Sequence, residues 1–323
     1  MYTLSELKEE YYSICNSLEF GVKGIVAFDS GVAGPCVGVT MMTHGNEPSG
    51  LAALRHFRAS DMIRKLQKGK VIFVLNNVAA AEKYFAALDI VGQTEGARVR
   101  LSARFLDVNM NRLPADMPER VNDSRYEIIR SRELLPVWKR FNIGLDIHTT
   151  ISITEPMIIA IGNVSNDLYR GFPADIVIRN IENVQTGKPA SAFYGQPNTV
   201  SVLGVEAGTH EDPRSCNIAI TLVKSLLQNL GMIQGEGLPE LELRKEYNIS
   251  GSVFFPNASY RLVKKFTPFE FVEAGSIIAE GDGEPIRVAT VCHIILPRPG
   301  IEATGPLNDE VMFLSSPVKT VES

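Results

Sequence analysis

The sequence holds little that would mark a secreted, membrane or nucleic-acid-binding protein. Only four cysteines occur among 323 residues, Cys15, Cys36, Cys216 and Cys292, and none forms a CxxC pair. That spacing excludes a disulfide framework and a thiolate zinc site, and it predicts buried thiols in a reducing compartment. No apolar run reaches the roughly 20 residues that a membrane-spanning helix needs. The start, MYTLSELKEEYYS, lacks the basic residues and apolar core of a signal peptide, so a cytoplasmic location is expected. A net charge of only −5 gives no basis for nucleic acid or an anionic membrane as partner. Internal repeats and low-complexity tracts are absent too. What remains is an ordinary globular composition, 45% hydrophobic, in a chain long enough for a large core and one or two domains.

The pattern along the chain is α/β. Thr3 and Glu6 form a capping box ahead of an amphipathic helix that includes Leu4, Leu7, Tyr11 and Ile14. Apolar runs at 24–29 and 36–42, joined by a Gly-rich turn, suggest a hairpin at a sheet edge. A helix over 49–67 and a strand over 70–75 then suggest a right-handed βαβ unit. Residues 76–118 show little periodicity, a length that in compact domains points to function. A helix over 121–141, strands over 143–147, 156–161 and 201–205, and a helix over 213–230 follow, with 167–183 partly helical. From about Gly237 the chain turns to short β-type runs, so we expect a catalytic α/β domain over 1–236 and a small all-β domain over 237–323.

The stretch 41–50, MMTHGNEPSG, organises the rest. It lies between an apolar strand and a helix, which places His44 and Glu47 at a strand-to-helix turn. Gly45 permits unusual backbone angles there, and Pro48 suits the first turn of the helix. An imidazole and a carboxylate three residues apart can bind one metal ion, and a catalytic zinc adds a third protein ligand and an open position. Histidine is scarce, with five in the chain. His148 ends the strand in LDIHTT and is the best third ligand; a hydrogen-bonded strand-end histidine is the competing reading. Glu206 ends the strand VSVLGV, where an ionised carboxylate is costly unless used or paired. Carboxyl ends of parallel strands are where ligands bind in open α/β sheets. Asp146 lies two residues before His148 and reads equally as its partner or as a structural carboxylate. Arg104 and Arg112 share their segment with Arg98, Arg100 and Arg120, so a solvated basic loop competes with a functional role.

The ordered set HGNE, NMNR, DIHTT and VEAG resembles the succinylglutamate desuccinylase/aspartoacylase family, a branch of the zinc carboxypeptidase-like hydrolases. The run FTPFEFVEAGSIIAEGDGEPIRV, followed by HIILPRPGIEATG, resembles that family's C-terminal β domain, nearer to the desuccinylase branch. The resemblance implies a carboxypeptidase-like mixed sheet with flanking helices, and one zinc ion on His44, Glu47 and His148. It implies Glu206 as general base and acid. It also implies Arg104, seven residues before Asn111, as the group that polarises the scissile carbonyl. Asn111 and Arg112 match the pair that holds the substrate's carboxylate.

Two departures stand out. The family usually carries Asp-x-Asn-Arg, with the Asp orienting the first zinc histidine; here that position is Asn109, which can accept a hydrogen bond but carries no charge. Aspartoacylase-like members also have an arginine about ten residues before the catalytic glutamate, where this chain reads Gly195-Gln196-Pro197-Asn198. A neutral or different acyl group is therefore expected. The expected function is zinc-dependent cleavage of an N-acyl amino acid or a similar small carboxylate-bearing amide. The β domain would narrow the cleft, and a homo-oligomer is compatible with the sequence. Two rivals are a metallo-carboxypeptidase acting on short peptides and a non-catalytic metal- and ligand-binding relative. A lipoyl or biotin carrier is disfavoured, because no lysine occupies the tip EGDGEP.

Overall fold

A computed structural model describes residues 2–62, 64–90, 93–151, 154–196, 199–210, 212–235, 243–298, 300–301 and 309–322. Helix α1 (Leu4–Ile14) begins with the expected capping box: the Thr3 hydroxyl accepts from the Glu6 N–H, and the Glu6 carboxylate accepts from the Thr3 N–H. A short ribbon, β1 (Leu18–Glu19) and β2 (Val22–Lys23), leads to β3 (Ile25–Asp29) and β4 (Cys36–Met41). The His44–Glu47 turn then passes into α2 (Ser49–Ala59) and on to β5 (Lys70–Leu75). Helix α2 stops short of the predicted residue 67, because Asp61 takes a left-handed φ of 54°.

The expected edge hairpin is not formed. β3 is an edge strand, but it pairs antiparallel with β5, and β4 lies parallel on the other side of β5. The reason is the apolar run of β5, Val71 to Leu75, fully buried and needing a partner along both edges.

Helices α3 (Val78–Ala86) and α4 (Gln93–Ser102) occupy much of the stretch read as irregular. In α3 a run of alanines hides the amphipathic period, and Asn77 caps it by accepting from the Ala80 N–H. Then come α5 (Tyr126–Trp138), β6 (Ile143–Thr150), β7 (Met157–Ile161), β8 (Ile176–Arg179), β9 (Ser201–Thr209) and α6 (Pro213–Asn229). Strand β8 falls where partial helix was expected; single 3-10 turns at Asn166–Tyr169 and Ile181–Asn183 flank it. Its β-branched sequence, Ile-Val-Ile, favours the sheet.

From Leu243 onward the described chain is all-β: β10 (Leu243–Val253), β11 (Arg261–Leu262), β12 (Phe271–Val272), β13 (Ile277–Glu280), β14 (Ile286–Arg287), β15 (Cys292–Ile295), β16 (Met312–Ser315) and β17 (Lys319–Glu322). The expected boundary at 236/237 lies outside the described residues. Strand β10 runs parallel to β8 through its first half and antiparallel to β16 through its second. Among the described residues the main sheet therefore runs β12-β15-β16-β10-β8-β7-β9-β6-β4-β5-β3, with β17 also on β10. β11, β13 and β14 form a separate small sheet.

Two cores sandwich the main sheet. On one face α1, α2 and α6 bring Leu7, Leu54, Phe57 and Leu226 against Val37, Val39, Phe73 and Leu203. On the other, Ile128, Val137, Trp138 and Phe141 cover Ile25, Ile72 and Val74. A Cβ on Gly38 would lie 2.2 Å from the Phe141 ring, and one on Gly144 would lie 2.6 Å from Tyr194. Glycine at those strand positions lets two aromatic rings lie flat on the sheet.

Candidate metal centre and its cleft

The parallel run β4, β6, β9 sets the site. Register pairs Met41 with Ile147, and His148 with Glu206, so these strands end together at one sheet edge. His44 and Glu47 follow β4 in the tight turn. Gly45 has no positive φ here; Met42 takes that role, with φ 52°. Glycine at 45 serves close packing instead, since a Cβ would sit 2.3 Å from the Ala80 backbone and 2.4 Å from the Ala103 carbonyl. Pro48 stands at the N-cap of α2.

The side chains of His44, Glu47 and His148 converge, each offering a ligand atom within 4.8 Å of the other two, and all three are buried. His44 Nδ1 lies 2.8 Å from Glu47 Oε1, and His148 Nδ1 lies 2.8 Å from Glu47 Oε2. The opposite ring nitrogens face oxygens: His44 Nε2 is 2.9 Å from Asn109 Oδ1, and His148 Nε2 is 3.0 Å from Asp146 Oδ2. If each Nε2–H donates outward, both Nδ1 lone pairs point at a carboxylate. Lone pairs against a carboxylate repel unless positive charge lies between them. Two neutral imidazoles and one carboxylate are a donor set that suits zinc, so these residues fit the ion.

Without the ion the two histidines differ in charge: His44 is neutral, whereas His148 keeps a proton that a bound cation would displace. Burial pushes His44 down to about 4, with the Arg104 charge adding to it, so its ring is neutral as a ligand must be. Burial alone would lower His148 as well, but Asp146 and Glu47 outweigh it and hold it well above the usual range. Burial pushes Glu47 up, and the two imidazoles more than reverse this, leaving it well below the carboxylate range. The pocket thus welcomes a cation.

Asp146 ends a directed chain of hydrogen bonds. Its Oδ1 accepts from Thr40 (2.8 Å) and Thr43 (2.9 Å). Tyr194 donates to Thr40 at 2.9 Å, Asn76 donates to Thr43 at 2.8 Å, and Trp138 donates to Asn76 at 3.2 Å. Every donor points toward Asp146, which orients the His148 ring.

Glu206 lies beside His148, and burial raises its carboxyl to about 7. Its Oε2 is enclosed and has no hydrogen-bond partner. Arg104 reaches Glu47 Oε1 at 3.0 Å while its side chain remains 41% exposed. Asn111 and Arg112 occupy a 3-10 turn, Met110–Arg112, on the same cleft. Arg112 is engaged by Glu310, with Nε at 3.0 Å and Nη2 at 2.8 Å from Oε2. His44, Glu47, Arg104, Asn111, Arg112 and Glu206 line one cleft of about 540 Å³, and His148 clusters with His44 and Glu47 at its wall. Pro197 and Asn198, part of the segment lacking the expected arginine, lie outside the described residues.

Sequence reasoning missed two carboxylates that shape this cleft. Glu127, fully buried, accepts from the backbone N–H groups of Leu106 (2.7 Å), Asp107 (3.0 Å) and Val108 (3.0 Å), and so pins the loop that carries Arg104 and Asn109. Glu310 does the same for Arg112. Glu310 stands directly before the apolar run Val311 to Leu314, where a buried carboxylate is costly unless paired.

The fold is shared with solved structures of several proteins. Murine aminoacylase 3 matches with a TM-score of 0.61 and 20% identity over 90% of this chain and 97% of that one. Succinylglutamate desuccinylase from Vibrio parahaemolyticus matches at 0.64 and 13%, over 93% and 90%. A product-bound ectoine utilization protein from Ruegeria pomeroyi matches at 0.57 and 17%, over 93% and 92%. No curated protein sequence matches the chain. Residues 33–228 match the succinylglutamate desuccinylase/aspartoacylase catalytic domain, and the chain belongs to that family. The family is named for two deacylases, which makes this protein a member of a hydrolase family.

Proposed function

We propose that this protein is a zinc-dependent amidohydrolase that removes the acyl group from an N-acyl amino acid or a related small amide. The observation that carries this reading is the convergence of two imidazole Nδ1 atoms on the Glu47 carboxylate, with Asn109 and Asp146 behind the rings. His44, Glu47 and His148 would hold one zinc ion. When bound, zinc supplies Lewis acidity that brings the pKa of water from about 15.7 to about 7.

The chain's own groups do the rest. Glu206, with a free Oε2 beside His148, takes a proton from the attacking water and delivers it to the leaving nitrogen. Arg104 uses Nη1 on Glu47, and its remaining N–H donors stabilise the negative charge that develops on the acyl oxygen. Asn111 and Arg112 receive the far end of the substrate. Pro268, Leu296, Pro297 and Phe313, from the C-terminal strands and loops, wall the cleft and restrict it to small substrates. Small-molecule substrates and a cytoplasmic location complete the proposal; the cysteines Cys15, Cys36, Cys216 and Cys292 are all free thiols. Among the described residues no helix is long and apolar enough to cross a membrane.

The test is a hydrolysis screen of zinc-loaded protein over N-acetyl, N-formyl and N-succinyl amino acids, repeated with Glu206→Gln. The expected outcome is turnover of at least one series, and a variant that keeps its metal but loses roughly 10²–10⁴-fold in kcat. Equal activity of the variant would overturn the assignment of Glu206. Faster turnover of short peptides than of any N-acyl amino acid would favour a carboxypeptidase.

A further inference from the structure

A strip of the cleft's lining is apolar. Ile159 and Leu296 belong to it and are only partly buried, so they present carbon to the cleft. Ile181 and Phe313, also on the cleft, join them in one apolar cluster. At one end the strip meets Glu206. Ile159 pairs with Gly204 on β9, two residues before Glu206, and strand alternation puts positions 204 and 206 on one face of the sheet. Glycine at 204 leaves that face to the Ile159 side chain, whose Cβ would lie 3.4 Å from a Cβ at 204. At the other end the strip meets Arg112. The Ile181 carbonyl accepts from the Gln185 N–H at 3.0 Å, and the Gln185 side chain donates to the Asn111 carbonyl at 2.7 Å. Arg112 comes next in the chain, and its side chain keeps 20% exposure.

We propose that Ile159, Ile181, Leu296 and Phe313 form the subsite for the amino-acid side chain, and that the substrate is an N-acyl amino acid whose side chain is apolar and of leucine size. This deepens the deacylase reading and rests on it for the reaction and for the role of Arg112. An amino acid whose amide meets Glu206 and whose carboxylate meets Arg112 has its α-carbon between them. Its side chain then lies along the strip that joins the two. Burial against this carbon favours an apolar group in proportion to the area covered. A side-chain carboxylate there would lose its hydration without gaining a partner. Among the described residues three arginines line the cleft, and two already serve the protein. Arg104 donates to Glu47 at 3.0 Å, and Arg298 donates to the backbone carbonyls of Glu310 (3.1 Å) and Asp309 (2.9 Å). Arg112, the third, is taken by the α-carboxylate.

The experiment measures kcat/KM for N-acetyl-leucine, N-acetyl-alanine and N-acetyl-aspartate on zinc-loaded wild type, Ile159→Ala and Leu296→Ala. Wild type is expected to favour leucine about tenfold or more over alanine and over aspartate. Ile159→Ala should lower the leucine-to-alanine ratio roughly fivefold or more, chiefly through KM for leucine. Leu296→Ala, on a separate segment, should move the ratio the same way. Each ratio is taken on one preparation, so a partly unfolded variant does not shift it. Wild-type preference for alanine or aspartate, or an unchanged ratio in both variants, would overturn the proposal. Calorimetric binding to zinc-loaded Glu206→Gln separates the two readings. Tighter binding of N-acetyl-leucine than of N-acetyl-aspartate, with no turnover of either by wild type, would fail the deacylase reading and leave the subsite standing. Equal or tighter binding of the aspartate would defeat the subsite whatever the kinetics.

Discussion

The cleft has two walls, and they are held in place by different means. The metal wall, with His148 and Glu206 on neighbouring strands and His44 and Glu47 on the turn after β4, is positioned by sheet register. The substrate wall, with Arg104, Asn109, Asn111 and Arg112, hangs on side-chain carboxylates: Glu127 grips the loop backbone, and Glu310 grips Arg112. Register tolerates change at any one residue, because many backbone bonds share the load. The loop has fewer ties, Glu127 on three amides with the Gly45 N–H on the Arg104 carbonyl and the Tyr126 N–H on Asp107, so loss of Glu127 removes most of its anchoring.

The sharpest way to break the metal wall is to remove a ligand. His148→Ala should lose stoichiometric zinc and about 10³-fold or more in activity, because the cluster is left with one imidazole; metal analysis after dialysis checks it. The substrate wall should fail through stability as well. Glu127→Ala strands the N–H groups of Leu106, Asp107 and Val108, and should cost about 3 kcal/mol in a urea titration, along with activity. If Glu127→Ala loses neither, the loop is held by something else and the contrast between the walls dissolves. Asn109→Asp joins the two walls, since Asn109 belongs to the loop but backs His44 at 2.9 Å. A charged acceptor there should tighten zinc binding roughly tenfold in a chelator competition. The smallest effect is expected from Tyr194→Phe, which removes one donor from the chain behind Asp146 and should cost about 1 kcal/mol in stability, with metal retained.

The same contrast explains what could be read from the sequence. Strands that carry His148 and Glu206 near their carboxyl ends announce themselves as apolar runs followed by a polar residue, although β6 runs on to Thr150 and β9 to Thr209, and α6 begins with Pro213 as predicted. Asn109 and Arg104 were placed by motif spacing. By contrast, nothing in the local pattern around Glu127 or Glu310 states which backbone amide or guanidinium each will meet, because those partners are fixed by tertiary contact. The stretch 76–118 misled for a related reason: α3 is alanine-rich and α4 is short and polar, so neither shows a clear apolar stripe. The β3–β4 pairing was misread because adjacency in sequence gives no hint that β5 will insert between them.

X-ray absorption of the zinc-loaded protein tests the central claim most directly. Two imidazoles and a carboxylate oxygen around the ion are the predicted shell, and His44→Ala, left with one imidazole, should retain no stoichiometric zinc after dialysis. A shell containing sulfur, or one without imidazole, would contradict the account.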